Sequence, residues 1–391
     1  MCSGSGARAL KIALLTHSVN PRGGVVHTLE LAAALRDAGH NVTVFAPAQP
    51  GQAMFRATRH RLQLVPVAAV SGGTADLVAA RIAAFEARLS ALLQQESFDV
   101  WHAQDPIGAN ALANLQHRGL IDGFVRTVHH LDDFADPRLA AWQQRGLARA
   151  AQVLCVSQLW CDVLRARHGI DAALVPNGVD LARYTPQPDD ADARVAQRYG
   201  LRADAPAVLA VGGVEARKNT ARLVDAFALL RAAQPHAQLV IAGGASLLDH
   251  DAYAVEFRAC VTAAGLAVGV GQAIVLTGTV PDADMPALYR AASVLAMPSL
   301  REGFGLAVLE ALACGTPVVA SRIAPFTEHL NRYGAEDCVW ADPLEAASIA
   351  SALAAALQVE RPAEPPAVCR RFGWPASAAR HAALYRVRAT G

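Results

Sequence analysis

SVLAMPSLREGFGLAVLEALACGTPVVAS, residues 293–321, holds one complete strand–loop–helix–strand repeat. Residues 293–297 form a short apolar run of strand type, 298–305 a loop, Leu306–Ala313 a helix that Gly315 ends, and 316–320 the next strand. Glu302 on the loop and Glu310 in the helix are its only acids, and every other residue from Gly303 to Ser321 is uncharged. A helix that is apolar nearly all round is a buried one, and a carboxylate buried without partners is costly. Glu310 is therefore expected at the helix's wet edge, bonding something there. The free amides and positive dipole end of the helix's first turn follow a Gly-Phe-Gly turn, which makes an anion site with a carboxylate on either side.

The same alternation runs outward from this stretch. Upstream, 207–211 (AVLAV), 238–242 (QLVIA) and 273–277 (AIVLT) are further strand-like runs. At 172–180 (AALVPNGVD), Pro176 and Asn177-Gly178 punctuate the chain, and an acidic, alanine-rich segment reaches Asp192. Before that point, 10–16, 41–46, 62–67, 98–102, 124–129 and 152–156 read as strands, with helices over 25–38 and about 75–95. The loop 17–24 ends in Gly23-Gly24, and the C-terminal part is helical in pattern, broken by Glu364-Pro365-Pro366. Repeats of this kind predict the α/β class: doubly wound parallel sheets in two units of similar size.

A length of 391 residues fits two domains, and 53% hydrophobic with 18% charged residues is a globular composition. A net charge of +1 offers no argument for a nucleic-acid partner. The seven cysteines include no Cys-x-x-Cys pair, which predicts reduced thiols in a cytoplasmic setting and no structural zinc. The apolar run near the N-terminus is too short for a signal-peptide core. Residues 259–281 carry no charge, but Gly265, Gly269, Gly271, Gln272 and Gly278 interrupt them, and 272–278 reads as a short buried strand rather than part of a membrane span. Of 35 basic residues only Lys11 and Lys218 are lysine. A chain that uses arginine almost throughout keeps lysine where a compact point charge is wanted, and Lys218, after a Gly-Gly turn, is the candidate.

Ligands of parallel α/β sheets bind beyond the carboxyl ends of the strands. In the first unit that edge carries Thr16-His17, Gly23-Gly24, His102 and His129-His130. In the second it carries Gly212-Gly213 with Arg217-Lys218, Gly243-Gly244, Gly278-Thr279 and the loop 302–305. Two such edges facing across a cleft would let glycine amides touch a diphosphate while Arg217 and Lys218 neutralise it. There is no G-x-G-x-x-G opening a helix, no G-x-x-x-x-G-K-[ST], no H-E-x-x-H and no glycine-flanked serine elbow.

Glu302-x7-Glu310 within REGFGLAVLEALACGTPVVAS resembles the family-4 retaining glycosyltransferases of GT-B architecture. PRGGVVHTLELAAALRDAGHNVTV at 21–44, TVHH at 127–130, VPNGVD at 175–180 and VPDADMPALYRAAS at 280–293 match in the same order, so the resemblance covers nearly the whole chain. It implies two Rossmann-like domains: an acceptor-side domain over 1–176, onto which a C-terminal helix at about 373–391 packs, and a nucleotide-sugar domain over 177–372. Glu302 would bond hydroxyls of the transferred sugar, Gly303, Phe304, Gly305 and Leu306 would hold sugar and phosphate, and Glu310 would take the ribose hydroxyls. Lys218, helped by Arg217, would stabilise the diphosphate as it leaves; Gly23 and Gly24 would approach the phosphates, and His129 would lie near the reacting carbon. Gly213, Thr279 and Val280 complete the donor-binding set, the last two near the base. Many members carry arginine five residues before the lysine; here that position is Gly213, and Arg217 is the substitute cation.

The implied function is metal-independent, cofactor-free transfer of a hexosyl group, with retained configuration, from a UDP- or GDP-type sugar to a small-molecule, glycan or lipid-linked acceptor. Two rival readings are a glycoside hydrolase using Glu302 and Glu310 as its acid/base pair, and a non-catalytic nucleotide-sugar-binding protein or partner subunit, motivated by Gly213. Arg56, Arg59, His60 and Arg61 form a basic run, read as a solvated loop or as a contact with an anionic membrane surface at the inner face or with a phosphorylated acceptor. Asp-x-Asp occurs at 190–192, in an expected linker, at 249–251, and at 282–284, at an expected helix start; none is read as a metal site.

Overall fold

The computed structural model describes residues 8–244, 251–330 and 338–389; Asp249, which opens the second Asp-x-Asp, lies outside them. The chain divides into two compact units, Met1–Asn177 with Trp374–Gly391, and Gly178–Gly373.

The first unit is built on seven strands: β1 Lys11–Leu15, β2 Asn41–Ala48, β3 Arg61–Pro66, β4 Val100–Ala103, β5 Val125–Val128, β6 Gln152–Cys155 and β7 Ala173–Leu174. They pair in the order β3-β2-β1-β4-β5-β6-β7, all parallel. β1 is buried at every position but Lys11 and β4 at every position, as strands covered on both faces must be. Leu15, Phe45, Phe85, Leu112 and Phe124 fill one layer of the core and Val128, Leu147, Cys155 and Trp160 another. The helix Trp374–Ala389 belongs to this unit and lies along the helix Gly23–Asp37.

The second unit holds β8 Ala207–Val211, β9 Gln238–Ala242, β10 Ile274–Gly278, β11 Val294–Met297, β12 Val318–Ser321 and β13 Val339–Ala341. Their order is β10-β9-β8-β11-β12-β13, again all parallel. In both sheets the order reverses once, between β1 and β4 and between β8 and β11, and the loops leaving those strands diverge there. Gln104 follows β4; Lys218 follows β8 and Glu302 follows β11.

Three local expectations are corrected. Gly23-Gly24 is the first turn of the helix Gly23–Asp37, not the end of a loop: first-turn amides have no intrahelical acceptor, so glycine costs little there. Residues 190–192 are no linker, since Asp192 lies in the helix Ala191–Tyr199 and pairs with Arg290 at 2.6 Å. β10 is only half covered, with Leu276 and Gly278 exposed, because it is an edge strand. The helix Asp251–Ala263 takes the first part of the uncharged stretch, and among the described residues no helix is long and apolar enough to cross a membrane.

Candidate active site

In the second unit, β8 ends in Gly212 (φ 128°) and Gly213 (φ 77°), a backbone region that favours glycine. Both amides donate to the Ala242 carbonyl at the end of β9, at 2.8 and 3.0 Å, so the Gly213 amide is engaged within the fold. The two glycine pairs pack backbone to backbone: a Cβ on Gly243 would lie 2.6 Å from the Gly213 nitrogen, and one on Gly213 would lie 3.2 Å from the Gly244 carbonyl. A single 3-10 turn, Ala216–Lys218, follows. Asn219 closes it in the left-handed region (φ 60°), and its buried side-chain amide donates to the Pro298 and Pro343 carbonyls at 3.0 and 2.7 Å. That tie brings the loop after β8 onto the loop after β11.

The ion cluster sits where those loops meet. Lys218 Nζ donates to Glu302 Oε1 at 2.6 Å and Ser299 Oγ donates to the same oxygen at 2.8 Å. Arg217 Nη1 reaches Glu302 Oε2 at 3.3 Å, and its Nη2 reaches Glu215 Oε2 at 3.2 Å. Glu302 is 5% exposed. Its burial opposes the charge, yet Lys218, Arg217 and the Lys218 and Ser299 hydrogen bonds hold its pKa down to about 2. Burial also lowers the Lys218 pKa, against the pull of Glu302. A carboxyl held ionised in this way is set to accept hydrogen bonds rather than to donate them.

Beyond Glu302 the loop is clamped by rings. Phe304 stacks on His329 (4.9 Å between centroids, 19° between planes) and meets Phe372 edge-on at 5.6 Å. Gly305 turns at φ 93°, with the Phe326 ring packed where a Cβ would be. The helix Leu306–Ala313 then starts, with the Val308 amide of its first turn donating to the Gly305 carbonyl at 3.0 Å. Val308, Leu309, Ala311, Leu312 and Ala313 are buried, whereas Leu306 and Glu310 are half-buried. Glu310 Oε2 accepts from the Tyr289 hydroxyl at 2.7 Å. Arg322 lies over the Trp340 ring, and Arg183 is near enough to Glu310 for the carboxylate to raise its pKa. Thr279 is exposed beside Gly244, and Val280 is buried.

In the first unit, His129 follows β5 and its Nε2 hydrogen-bonds Gln104 Oε1 at 3.2 Å. The amide oxygen only accepts, so that nitrogen carries the proton and Nδ1 carries the lone pair. The His27 ring meets His129 edge-on at 4.6 Å, and a Cβ on Gly24 would stand 3.4 Å from the imidazole. Gly23 has no atom within 4 Å of a Cβ position. His102 is fully buried, bonded to Tyr385 and Thr127 at 2.7 Å each. His130, for which no task is expected, pairs with Asp132 at 3.3 Å on the surface. Burial first, then neighbouring cations and histidines, pushes the His129 pKa well below its ordinary value.

Sequence reasoning missed Ser299, Asn219, Tyr289 and Gln104. Tyr289, Gln104 and Asn219 act through contacts with residues distant in the chain, whereas Ser299 bonds Glu302 three residues on; only Asn219, directly after Lys218 at a turn, carried a local signal. Of the basic run, Arg56 is paired with Glu30 and Arg61 with Glu96, each at 2.7 Å, and His60 is buried, which leaves Arg59 exposed. Asp282 and Asp284 pair with Arg183 and with Arg194 and Arg198. Among the described residues no group of three or more His, Cys, Asp or Glu side chains is arranged to hold a metal ion.

Two Rossmann-like units, each with its loops diverging at a sheet reversal, define the GT-B class. Residues 193–371 match the family described as Glycosyl transferases group 1, and residues 21–183 match Glycosyltransferase Family 4. A D-inositol 3-phosphate glycosyltransferase of Xylanimonas cellulosilytica is 30% identical, with 96% of each chain covered. A protein of the same description from Salinispora arenicola is 33% identical over 51% of this chain and 48% of its own length. The phosphatidyl-myo-inositol mannosyltransferase of Mycobacterium tuberculosis is 31% identical over 88% of this chain and 86% of that one. Among solved structures, sucrose-phosphate synthase of Thermosynechococcus elongatus superposes with a TM-score of 0.77 at 22% identity, covering 98% of this chain and 100% of that one. Anabaena HepE in complex with UDP-glucose superposes at 0.74 and 18% identity, covering 97% and 100%. The chain belongs to the GT-B glycosyltransferases.

Proposed function

We propose that this glycosyltransferase moves a hexosyl group from a nucleoside diphosphate sugar with retention of configuration and without a metal ion, as the family-4 resemblance implies. The observation that carries the reading is the buried Lys218–Glu302–Ser299–Arg217 cluster beside the first turn of the Leu306–Ala313 helix. It sets an ammonium, a guanidinium and the N-terminal end of a helix next to a carboxylate held ionised. That carboxylate accepts from sugar hydroxyls, and the cations with the helix end stabilise the charge that grows on a departing diphosphate. Glu310 takes the ribose, Gly23 and Gly24 approach the phosphates, and His129 serves the sugar side. Arg217 stands in for the arginine absent at Gly213. Retention needs no protein nucleophile: the leaving phosphate takes the acceptor's proton on the face from which it departs, through an oxocarbenium-like state.

Relatives named for inositol 3-phosphate and for phosphatidyl-myo-inositol make these the first acceptors to try, with UDP- and GDP-sugars as donors. Transfer assayed with EDTA present, with product configuration read by NMR, tests the reaction. Product keeps the donor's configuration and the rate survives chelation. Glu302→Gln and Lys218→Ala each lower kcat/KM by about 100-fold or more, the scale of a lost charge-stabilising contact. If both retain near-wild-type rates with a competent acceptor, the site assignment is wrong. An inverted product refutes the retaining course.

A further inference from the structure

Tyr289 is fully buried in the short helix Met285–Ala291, and its hydroxyl ends on Glu310. Its own position is fixed without reference to that carboxylate. The Thr316 hydroxyl donates to its carbonyl at 2.6 Å, and the Tyr184 ring meets its ring edge-on at 6.0 Å. The next residue, Arg290, is anchored by Asp192 at 2.6 Å and Asp189 at 2.8 Å. Glu310 is half-buried at the end of a three-torsion side chain, and the Arg183 guanidinium, whose pKa it raises, also stands near it. In this pair the phenol is the fixed point and the carboxylate the part being aimed. Burial, then the adjacent Glu310 carboxylate, holds the phenol's pKa well above its ordinary value, so the hydroxyl keeps the proton it donates.

We propose that Tyr289 is a positioning residue for donor recognition: its hydroxyl orients the Glu310 carboxylate so that a ribose is accepted in preference to a deoxyribose. The inference rests on the reading of Glu310 as the ribose ligand. A carboxylate that selects between hydroxyl-bearing and hydroxyl-free sugars must be held in one geometry, because a freely rotating one regains solvation when the hydroxyl is missing and loses its selectivity.

The test measures the affinities of UDP, GDP and ADP and of their 2′-deoxy and 3′-deoxy forms by titration calorimetry, for wild type, Tyr289→Phe and Glu310→Gln. For the nucleotide that binds, wild type favours the ribose form, and Glu310→Gln abolishes the preference. Tyr289→Phe cuts the ribo/deoxy ratio by about 10-fold, the scale of a hydrogen bond to a charged group, while affinity for the deoxy form stays within about 3-fold. A Tyr289→Phe protein that loses ribo and deoxy affinity equally, or keeps the full ratio while Glu310→Gln loses it, overturns the positioning role and leaves the ribose reading standing. A full ratio in Glu310→Gln removes the ribose reading and this inference with it. As a second measurement, the double variant Tyr289→Phe/Glu310→Gln is compared with Glu310→Gln alone: no further change in the ratio supports the inference, and an independent loss refutes it.

Discussion

Lowering the pH from 7 to 5 should destabilise the first unit far more than the second, through a group of buried histidines. His27 donates from Nδ1 to Asn177 Oδ1 at 2.8 Å, lies 5.4 Å from the Trp374 ring and 6.0 Å from His381, and its Nε2 has no partner among the described residues. His381 hydrogen-bonds the Ser377 carbonyl through Nδ1 and likewise leaves Nε2 unpartnered. His102 lies 5.7 Å from His381, and His129 lies 4.6 Å from His27. Burial, then the neighbouring His381, pushes the His27 pKa down to about 3 against the Asn177 hydrogen bond; burial pushes His381 down to about 4. His102 and His129 move the same way, burial again the leading cause, with Arg126 adding to it.

Because each folded-state pKa is depressed, the unfolded chain takes up protons first as the pH falls through about 6.5. The stability these neutral imidazoles contribute is whole above that pH, declines below it, and is gone beneath the folded-state pKa. Each such group costs about 1.4 kcal/mol per pH unit in this window, so at pH 5 His27 and His381 together remove on the order of 4 kcal/mol. That is a large part of the 5–15 kcal/mol typical of a domain. Hydrogen exchange on peptides from 374–389, followed through a urea titration, reads this unit apart from the other. At an m-value of about 2–3 kcal/mol/M the opening midpoint falls by about 1.3–2 M between pH 7 and 5. His381→Gln should flatten the pH slope by close to one proton. A midpoint that does not move, or a slope that His381→Gln leaves unchanged, refutes the assignment of buried neutral histidines.

Two glycine substitutions separate packing from ligand approach. Gly23→Ala adds a methyl that meets no atom within 4 Å, so stability by urea denaturation holds or rises by the few tenths to about 1 kcal/mol of a helical Gly→Ala change. Donor turnover falls all the same if the backbone at Gly23 meets the phosphates, and undiminished turnover denies it that role. Gly305→Ala is different: its φ of 93° and the buried Phe326 ring both oppose a side chain. A loss of about 2–4 kcal/mol is expected by urea denaturation, from left-handed backbone strain with overpacking; a loss under about 0.5 kcal/mol would show that the loop simply relaxes.

The strands of both sheets were legible because a doubly covered parallel strand is a short, unbroken apolar run: 207–211 and 238–242 are strands over those same residues, and the Leu306–Ala313 helix begins and ends where its composition says. β7, with two residues, and β13, with three, escaped notice because no periodicity fits into so few positions. The glycine pair 23–24 was misplaced because glycine signals a loop by propensity, a weak preference that the open first turn of a helix does not oppose. At the site, Lys218, Glu302 and Glu310 stood out as charges in uncharged surroundings. Their partners did not, since Ser299 and Tyr289 are ordinary loop and helix residues until the fold sets them against a carboxylate. His27 and Asn177 are 150 positions apart, and nothing local ties one to the other.

The near-absence of lysine from this chain acquires a physical reason at Lys218. Its stem passes directly over Gly212, where a Cβ would lie 2.6 Å from Lys218 Cε, and Gly212 sits at a φ of 128° that excludes other residues. The stem thus takes the space that a side chain at 212 would fill. It delivers one compact charge to one carboxylate oxygen at 2.6 Å, with that ammonium largely removed from water. The neighbouring position asks for the opposite: Arg217 spans two carboxylates, Glu215 and Glu302, with separate nitrogens of one planar fork. A guanidinium at 218 would need room that Gly212 has already given up to the lysine stem, and an ammonium at 217 would lack the fork that reaches both acids at once. The two adjacent cations are thus not interchangeable. Gly213, directly after Gly212, is required by the backbone packing against Gly243 and Gly244, so no cation can occupy that position without moving the loop. The guanidinium of this cluster is accordingly carried by Arg217, beside the lysine.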